Sequence, residues 1–319
     1  MRIVVVGAGA VGGVVAANLA LAGTPVVAVA RGEHARAMSE SGLRYESPTG
    51  TQVVELPVAT SIAEVDVAAD DVIMLGVKGQ DTVSVLNDLR SAGVTDQPIV
   101  CMQNGVDNEP LIADRLGGDR VITGTVTTAV GKPGIGQVIE EKRRGIGIAL
   151  SHPIGADIVS ALNDAGLNGI GYAEPGPMKW SKLLTNLTGN ATSAILDEPV
   201  TALFADRRLY EVEIAVLREC LAVMAALGFR PVDLPGTPVR ALGGGRGDKM
   251  PSFHIDLHSG RGQTEVRFLN GAVVRYGAEH GVPTPVNAVL TETLEALSSG
   301  EQSLETYRHN PEALLARLR

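Results

Sequence analysis

The chain has 319 residues, of which 45% are hydrophobic, 20% charged and 3% aromatic, and its net charge is −9. This is a globular composition, long enough for one large domain or two medium ones. Its acidic balance and thinly spread Lys and Arg exclude the clustered basic face that nucleic acid demands. No apolar run approaches the roughly 18 residues of a membrane span. Cys101 and Cys220 lie far apart among apolar neighbours, so neither a disulfide framework nor a CxxC metal site is available, and a reducing cytoplasm is the expected setting.

The opening MRIVVVGAGAVGG has one basic residue and a short apolar run that enters a glycine motif rather than a cleavage site. It is expected to be a buried first strand, not a signal peptide. Up to residue 173, strands are predicted at Ile3 to Val6, Pro25 to Ala30, Val72 to Val77 and Ile99 to Met102. Helices are predicted at Val11 to Ala22, Glu33 to Ser41, Asp81 to Arg90 and Asn108 to Leu116. Continuous apolar runs of this length suit strands covered on both faces, and the βαβα order predicts a doubly wound, Rossmann-type α/β domain. Arg44 to Leu56, centred on Ser47-Pro48-Thr49-Gly50, reads as an inserted hairpin. Val121 to Leu150, broken at Lys132-Pro133-Gly134, is expected to extend the sheet antiparallel.

After Glu174-Pro175-Gly176-Pro177 the period changes to 3.6, with helices predicted at Met178 to Leu196, Arg208 to Leu227, Thr264 to Glu279 and Val286 to Leu297. The expected division is a dinucleotide-binding domain over 1–173 and an all-helical domain over 174–319, with the Pro-Gly-Pro run at the boundary. Asp233 to Lys249, rich in Gly and Pro, is expected to be a mobile surface loop.

Gly7-Ala8-Gly9-Ala10-Val11-Gly12 matches GxGxxG directly after a predicted strand and at the start of a predicted helix. In that context Gly7 makes the turn, Gly9 lets backbone approach a pyrophosphate, and Gly12 allows close packing. The diphosphate is expected on the amides of the helix N-terminus. An NAD site carries Asp or Glu at the end of the second strand; here that strand runs into Arg31, a cation suited to a 2′-phosphate, so NADPH is preferred over NADH although Glu33 stands two residues on. Lys78, at the end of the strand Val72 to Val77, can reach the same phosphate or the adenine face, or serve as a solvated loop lysine.

Two further groups carry possible chemistry. Asn104, in Gln103-Asn104-Gly105 at the end of the strand Ile99 to Met102, can bond a nicotinamide amide or a substrate carbonyl, or belong to an ordinary Asn-Gly turn. Lys182, Asn186 and Asn190, at i, i+4 and i+8, fall on one helix face, either a solvent stripe or a polar lining on a helix whose Leu183, Leu184, Leu187 and Ile195 mark it as buried. Glu265 near a helix start gains from the macrodipole in any protein. His254, Asp256 and His258 have a spacing compatible with metal, but lack a further ligand nearby, and no metal is expected.

In order and spacing these motifs resemble the ketopantoate reductase (2-dehydropantoate 2-reductase) family, within the 6-phosphogluconate-dehydrogenase-like two-domain enzymes. The marks are GAGAVG at Gly7 to Gly12, Arg31, Lys78, QNG at Gln103 to Gly105, the Lys182, Asn186, Asn190 spacing, Pro251-Ser252, and TE-x-x-x-x-NG from Thr264 to Gly271. The resemblance implies NADPH-dependent reduction of a 2-keto acid, most directly ketopantoate to pantoate on the route to pantothenate and coenzyme A. It implies Lys182 as proton donor, Glu265 as its partner, Asn186, Asn190 and Ser252 as substrate contacts, and Asn104 as a cleft residue. A homodimer is left open. The chain departs from the family at Arg267, where an Asp is usual, at Ala191, where a Pro is common, and in FHID after Ser252, where a Met-Leu-Gln-Asp type is preferred; the step from Ser252 to Glu265 is one residue longer. These departures surround the substrate, so a reductase of another 2-keto acid or a secondary metabolite is the alternative. A non-catalytic NADPH sensor would not need Lys182 and Glu265 together.

Overall fold

Ile3–Val6 (β1), four aliphatic residues all shielded from solvent, lies inside an eight-stranded sheet. Branched side chains suit a pleated surface covered on both faces. The architecture comes from a computed structural model that describes residues 1–239, 250–259 and 264–318. After β1 come α1 (Ala10–Leu21), β2 (Val26–Val29), α2 (Gly32–Ser41), β3 (Leu43–Ser47), β4 (Gly50–Val54), β5 (Val58–Ala59), β6 (Val72–Leu75), α3 (Thr82–Ser91), β7 (Ile99–Cys101) and α4 (Asn108–Leu116). Then follow β8 (Val121–Val126), β9 (Ala129–Gly131), β10 (Gln137–Lys142), β11 (Ile146–Ala149), α5 (Gly155–Asp164) and β12 (Gly169–Tyr172).

The large sheet has the order β12-β11-β8-β7-β6-β1-β2-β5. It is parallel from β5 to β8. The chain runs outward from β1 through β2 and then resumes on the other side at β6, which makes the carboxyl edge of β1 and β6 the switch point where such sheets bind ligands. The stretch 121–150 differs from expectation. β8 joins β7 in parallel, and only β11 lies antiparallel, against β8. β9 and β10 leave for a second sheet of order β4-β3-β10-β9 with the hairpin. β10 alternates buried and part-exposed residues, so it needs cover on one face only, and buried Val138 and Tyr45 provide contact there with the large core that α1 shares.

The helices continue with α6 (Pro175–Leu187), α7 (Asn190–Leu196), α8 (Val200–Ala205), α9 (Arg207–Ala226), α10 (Ser252–His258), α11 (Asn270–Glu279), α12 (Pro285–Ser299) and α13 (Pro311–Arg317). Two compact units result: Met1–Lys179 with Asp233–Thr237, and Trp180–Val232 with Pro238–Arg319. Pro175, Gly176 and Pro177 are the opening turn of α6; proline is tolerated there because its missing N–H would have no partner anyway. The helix expected over 178–196 is two helices. Gly189 takes φ +66 between them and donates its N–H to Glu213 at 2.5 Å. The helix expected from Thr264 starts at Asn270, preceded by a 3-10 turn at Val266–Phe268. At the start of the expected mobile loop, Leu234 is buried and bridges Thr237, and Pro235 accepts the Thr127 hydroxyl at 2.7 Å. Residues 240–249 of that loop lie outside the described residues.

Candidate active site

The turn between β1 and α1 discriminates among its three glycines. Gly7 has φ +96, and a Cβ there would meet Val77 at 2.5 Å; one at Gly12 would meet the Gly7 carbonyl oxygen at 2.3 Å. A Cβ at Gly9 would meet nothing within 4 Å. Gly7 and Gly12 are therefore demanded by the protein's own packing, whereas Gly9 borders open space. Gly9 is also the N-cap of α1, with no side-chain cap and no acidic residue in the first turn. The amides of Ala10, Val11 and Gly12 are thus left for an anion, with the helix dipole behind them. Ala8, buried, supplies a carbonyl that bonds the His34 ring at 2.9 Å, and that ring accepts the Gly136 N–H at 2.8 Å. Burial holds the His34 pKa below its usual range, against the opposing pull of the Ala8 carbonyl.

Arg31 stands at the carboxyl end of β2 as the N-cap of α2, in extended conformation. Its side chain is 68% exposed and its Nη2 lies 3.5 Å from Asp81 Oδ1. Asp81 closes the 3-10 turn Gly79–Asp81 that Lys78 caps. Arg31 therefore reaches the turn that Lys78 opens, at the sheet's carboxyl edge. Asp81 went unnoticed in the sequence because nothing local links it to Arg31.

Asn104 is half-buried in a tightly held turn. The Gln103 side chain donates to Thr82 Oγ1 at 2.7 Å, Thr82 donates to Asn108 Oδ1 at 2.9 Å, and Asn108 Nδ2 donates to the Asn104 carbonyl at 2.9 Å. Gly105 follows at φ +85. All of Gln103, Thr82 and Asn108 are buried, so every bond is made in a medium where leaving it unmade is costly. Thr82 and Asn108 escaped the sequence reading, since polar residues at predicted helix starts look like ordinary caps.

In the helical unit, Lys182 and Asn186 sit one turn apart on α6, each half-buried. Asn190 is not on their helix but opens α7 beyond the Gly189 break. Its Nδ2 donates to Ser252 Oγ at 3.4 Å and its Oδ1 accepts the Phe253 N–H at 3.0 Å. Asn190 thus brings Ser252 into place and caps α10. Glu265 is buried immediately before the 3-10 turn, and its carbonyl accepts the Phe268 N–H at 2.9 Å. Arg267, where the family's Asp is usual, is exposed and pairs with Glu295.

His254 and His258 do draw together with an acid, but it is Asp197 and not Asp256. His254 Nε2 bonds Asp197 Oδ1 at 2.6 Å, His258 Nε2 donates to the Ala194 carbonyl at 2.9 Å, and Arg308 Nε meets Asp197 Oδ2 at 2.9 Å. The two imidazoles stack, with centroids 4.3 Å apart and planes 23° from parallel. Both Nε2 atoms are engaged, one with Asp197 and the other with the Ala194 carbonyl. The group works as a hydrogen-bonded clamp between the end of α7 and α10. Asp197, against the cost of burial, is held below the usual carboxylate range by these histidines and Arg308.

Comparison with known proteins decides what this arrangement belongs to. The family described as Ketopantoate reductase PanE/ApbA matches residues 3–149, and its C-terminal counterpart matches residues 177–298. The chain belongs to the ketopantoate reductase family. A 2-dehydropantoate 2-reductase of Archaeoglobus fulgidus is 31% identical over 304 residues, covering 94% of this chain and 98% of the relative. One of Pyrococcus horikoshii is 29% identical, with the same two coverages. Among solved structures, a PanE/ApbA family ketopantoate reductase of Ralstonia eutropha superposes with a TM-score of 0.85 at 29% identity, covering 95% of this chain and 100% of that one. D-mandelate dehydrogenase with NADH and anilino(oxo)acetate superposes with a TM-score of 0.83 at 25% identity, covering 94% and 99%. Among the described residues, no helix of this family member is long and apolar enough to cross a membrane.

Proposed function

We propose that this ketopantoate reductase family member reduces 2-dehydropantoate to pantoate, with NADPH as the hydride donor. The observation that carries the reading is the glycine turn, open at Gly9 and closed at Gly7 and Gly12, in a chain that aligns with 2-dehydropantoate 2-reductases over nearly its whole length. In this reading residues 1–173 serve the cofactor and 174–319 the substrate. The amides of Ala10, Val11 and Gly12 receive the diphosphate, Arg31 and Lys78 the 2′-phosphate, and Asn104 the region near the nicotinamide. The bound nicotinamide supplies the hydride.

The residues of the chain supply the proton and the orientation. Lys182 donates a proton to the carbonyl oxygen as it becomes an alkoxide, and Glu265 orients that ammonium. Ser252, held by Asn190, donates to the substrate carboxylate, and Asn186 bonds the remaining polar groups without bringing a charge that must be desolvated. The test is oxidation of NADPH and NADH followed with ketopantoate and a panel of 2-keto acids. Wild type should turn over ketopantoate with NADPH, and Lys182→Ala should lower kcat by about 10²–10⁴ while NADPH affinity stays near wild type. Turnover of Lys182→Ala within a few-fold of wild type would remove it as the acid.

A second reading has one observation in its favour. The D-mandelate dehydrogenase that shares this fold at 25% identity was solved with NADH and a bulky oxoacetate, and this chain departs from the family on the substrate side, at Arg267 and in the residues after Ser252. Faster turnover of an aromatic 2-keto acid than of ketopantoate selects it.

A further inference from the structure

Lys179 is a lysine the proposed chemistry does not use. It is 4% exposed, and lysine is rarely so deep without partners. Nζ donates to the Gln103 carbonyl oxygen at 2.6 Å and to that of Gly124 at 2.9 Å, and it forms an ion pair with Glu109 Oε1 at 2.6 Å. The group thus joins the turn after β7, the middle of β8 and the first turn of α4. Burial works against the ammonium, but the Glu109 carboxylate beside it more than offsets this and the pKa is raised, so the group stays charged.

An ion pair in such a place is a poor source of stability, because well-packed apolar side chains of similar volume often hold a fold as well or better. What it adds is direction. The peptide plane before Asn104 is fixed through the Gln103 carbonyl by Lys179, and the plane after it through the Asn104 carbonyl by Asn108 Nδ2 at 2.9 Å. Both peptide planes flanking Asn104 are thus held by buried side chains, and Gly105 takes the positive φ that ends the turn.

We propose that Lys179 is a positioning residue of the reductase, aiming Asn104 by holding the carbonyl of Gln103. The proposal rests on the reading in which Asn104 lines the site. It assigns Lys179 no contact with substrate or cofactor and no proton transfer, which distinguishes it from Lys182.

Lys179→Met alone strands the Glu109 carboxylate in the interior and risks the fold, so the test uses Lys179→Met with Glu109→Gln, which removes both charges at similar volume. The double variant should fold, bind NADPH within a few-fold of wild type through its glycine turn, and lose kcat by about 10²-fold, the usual effect of misplacing a reacting partner by an ångström. In an Asn104→Ala background the same pair of changes should cost less than threefold more, because residues acting as a unit are not additive. A second readout needs no turnover: amide hydrogen exchange across Gln103–Val106 should speed up at least tenfold in the double variant while β1 and β6 stay protected. Wild type without activity on any 2-keto acid overturns the functional reading, and the exchange arm still judges Lys179. A folded double variant with unchanged exchange, kcat within threefold of wild type, or a full 10²-fold loss on top of Asn104→Ala overturns the positioning role.

Discussion

The guanidinium of Arg31 lies 3.5 Å from the carboxylate of Asp81, and both side chains are well exposed. A 2′-phosphate arriving at Arg31 therefore competes with an acid already there. An exposed pair of this kind contributes up to about 1 kcal/mol, so Asp81→Asn should tighten NADPH by up to about fivefold and leave NADH nearly unchanged. Arg31→Asp removes charge-assisted bonds of about 1.5–3 kcal/mol and should weaken NADPH by roughly 10–100-fold without weakening NADH. Fluorescence titration of both cofactors checks the pair. An Arg31→Asp variant that weakens both alike would show that this cation does not read the 2′-phosphate.

The glycine turn separates binding from folding. Gly9→Ala places a methyl in open space and should leave the melting temperature within about 2 °C of wild type while weakening both cofactors by about tenfold or more. Gly12→Ala drives a methyl to 2.3 Å from the Gly7 carbonyl oxygen, and overpacking against backbone costs about 1–3 kcal/mol or more. Calorimetry beside cofactor titration distinguishes the two, and equal loss of stability in both variants would contradict the geometry.

The glycine motif was legible because its logic is local: strand, turn and helix start are consecutive, and each glycine serves a neighbour a few residues away. The hairpin at 43–54 was legible for the same reason. The break at Gly189 was not, because the apolar residues Leu183, Leu184, Leu187 and Ile195 keep a helical rhythm across it, while the feature that turns the chain is a bond to Glu213 on α9. Asn190 accordingly looked like a third member of the Lys182 face and instead holds Ser252. Lys179 with Glu109, and Arg31 with Asp81, were out of reach for a common reason: each pair joins elements distant in sequence, and no period or motif records which carboxylate will lie beside which cation.

Asn190 and Ser252 should behave differently although they touch. Ser252→Ala removes the hydroxyl proposed to bond the substrate carboxylate and should raise KM for the keto acid by roughly tenfold, equal to about 1.4 kcal/mol, with little change in stability. Asn190→Ala also strips the Phe253 N–H of its acceptor at the start of α10, an N-cap type of loss worth about 1 kcal/mol. It should therefore raise KM and lower the melting temperature by about 2–4 °C. Steady-state kinetics beside thermal unfolding tests this; a Ser252→Ala variant with unchanged KM for every active keto acid takes Ser252 out of the site.

Acid should weaken the contact between the second sheet and α1 through Glu140. This buried carboxylate accepts Tyr45 Oη at 2.6 Å and two bonds from Arg143, at 2.5 and 2.9 Å, while Asn18 of α1 donates to Tyr45 at 3.0 Å. Burial raises the Glu140 pKa, but Arg143 and Tyr45 lower it by more, so it lies below the usual carboxylate value when folded. A group depressed on folding contributes its full stability above its unfolded pKa, near 4.3, and loses it as pH falls through the folded value. Arg143 is partly exposed, which places the contribution at the low end for bonds to a charge, about 2 kcal/mol at pH 7. Glu140→Gln should therefore be less stable than wild type by about that amount at pH 7, and the gap should narrow steadily below about pH 4.3. Denaturant unfolding of both proteins between pH 7 and pH 3 measures it, and a gap that stays constant over that range would show that the carboxylate is not held ionised by these partners.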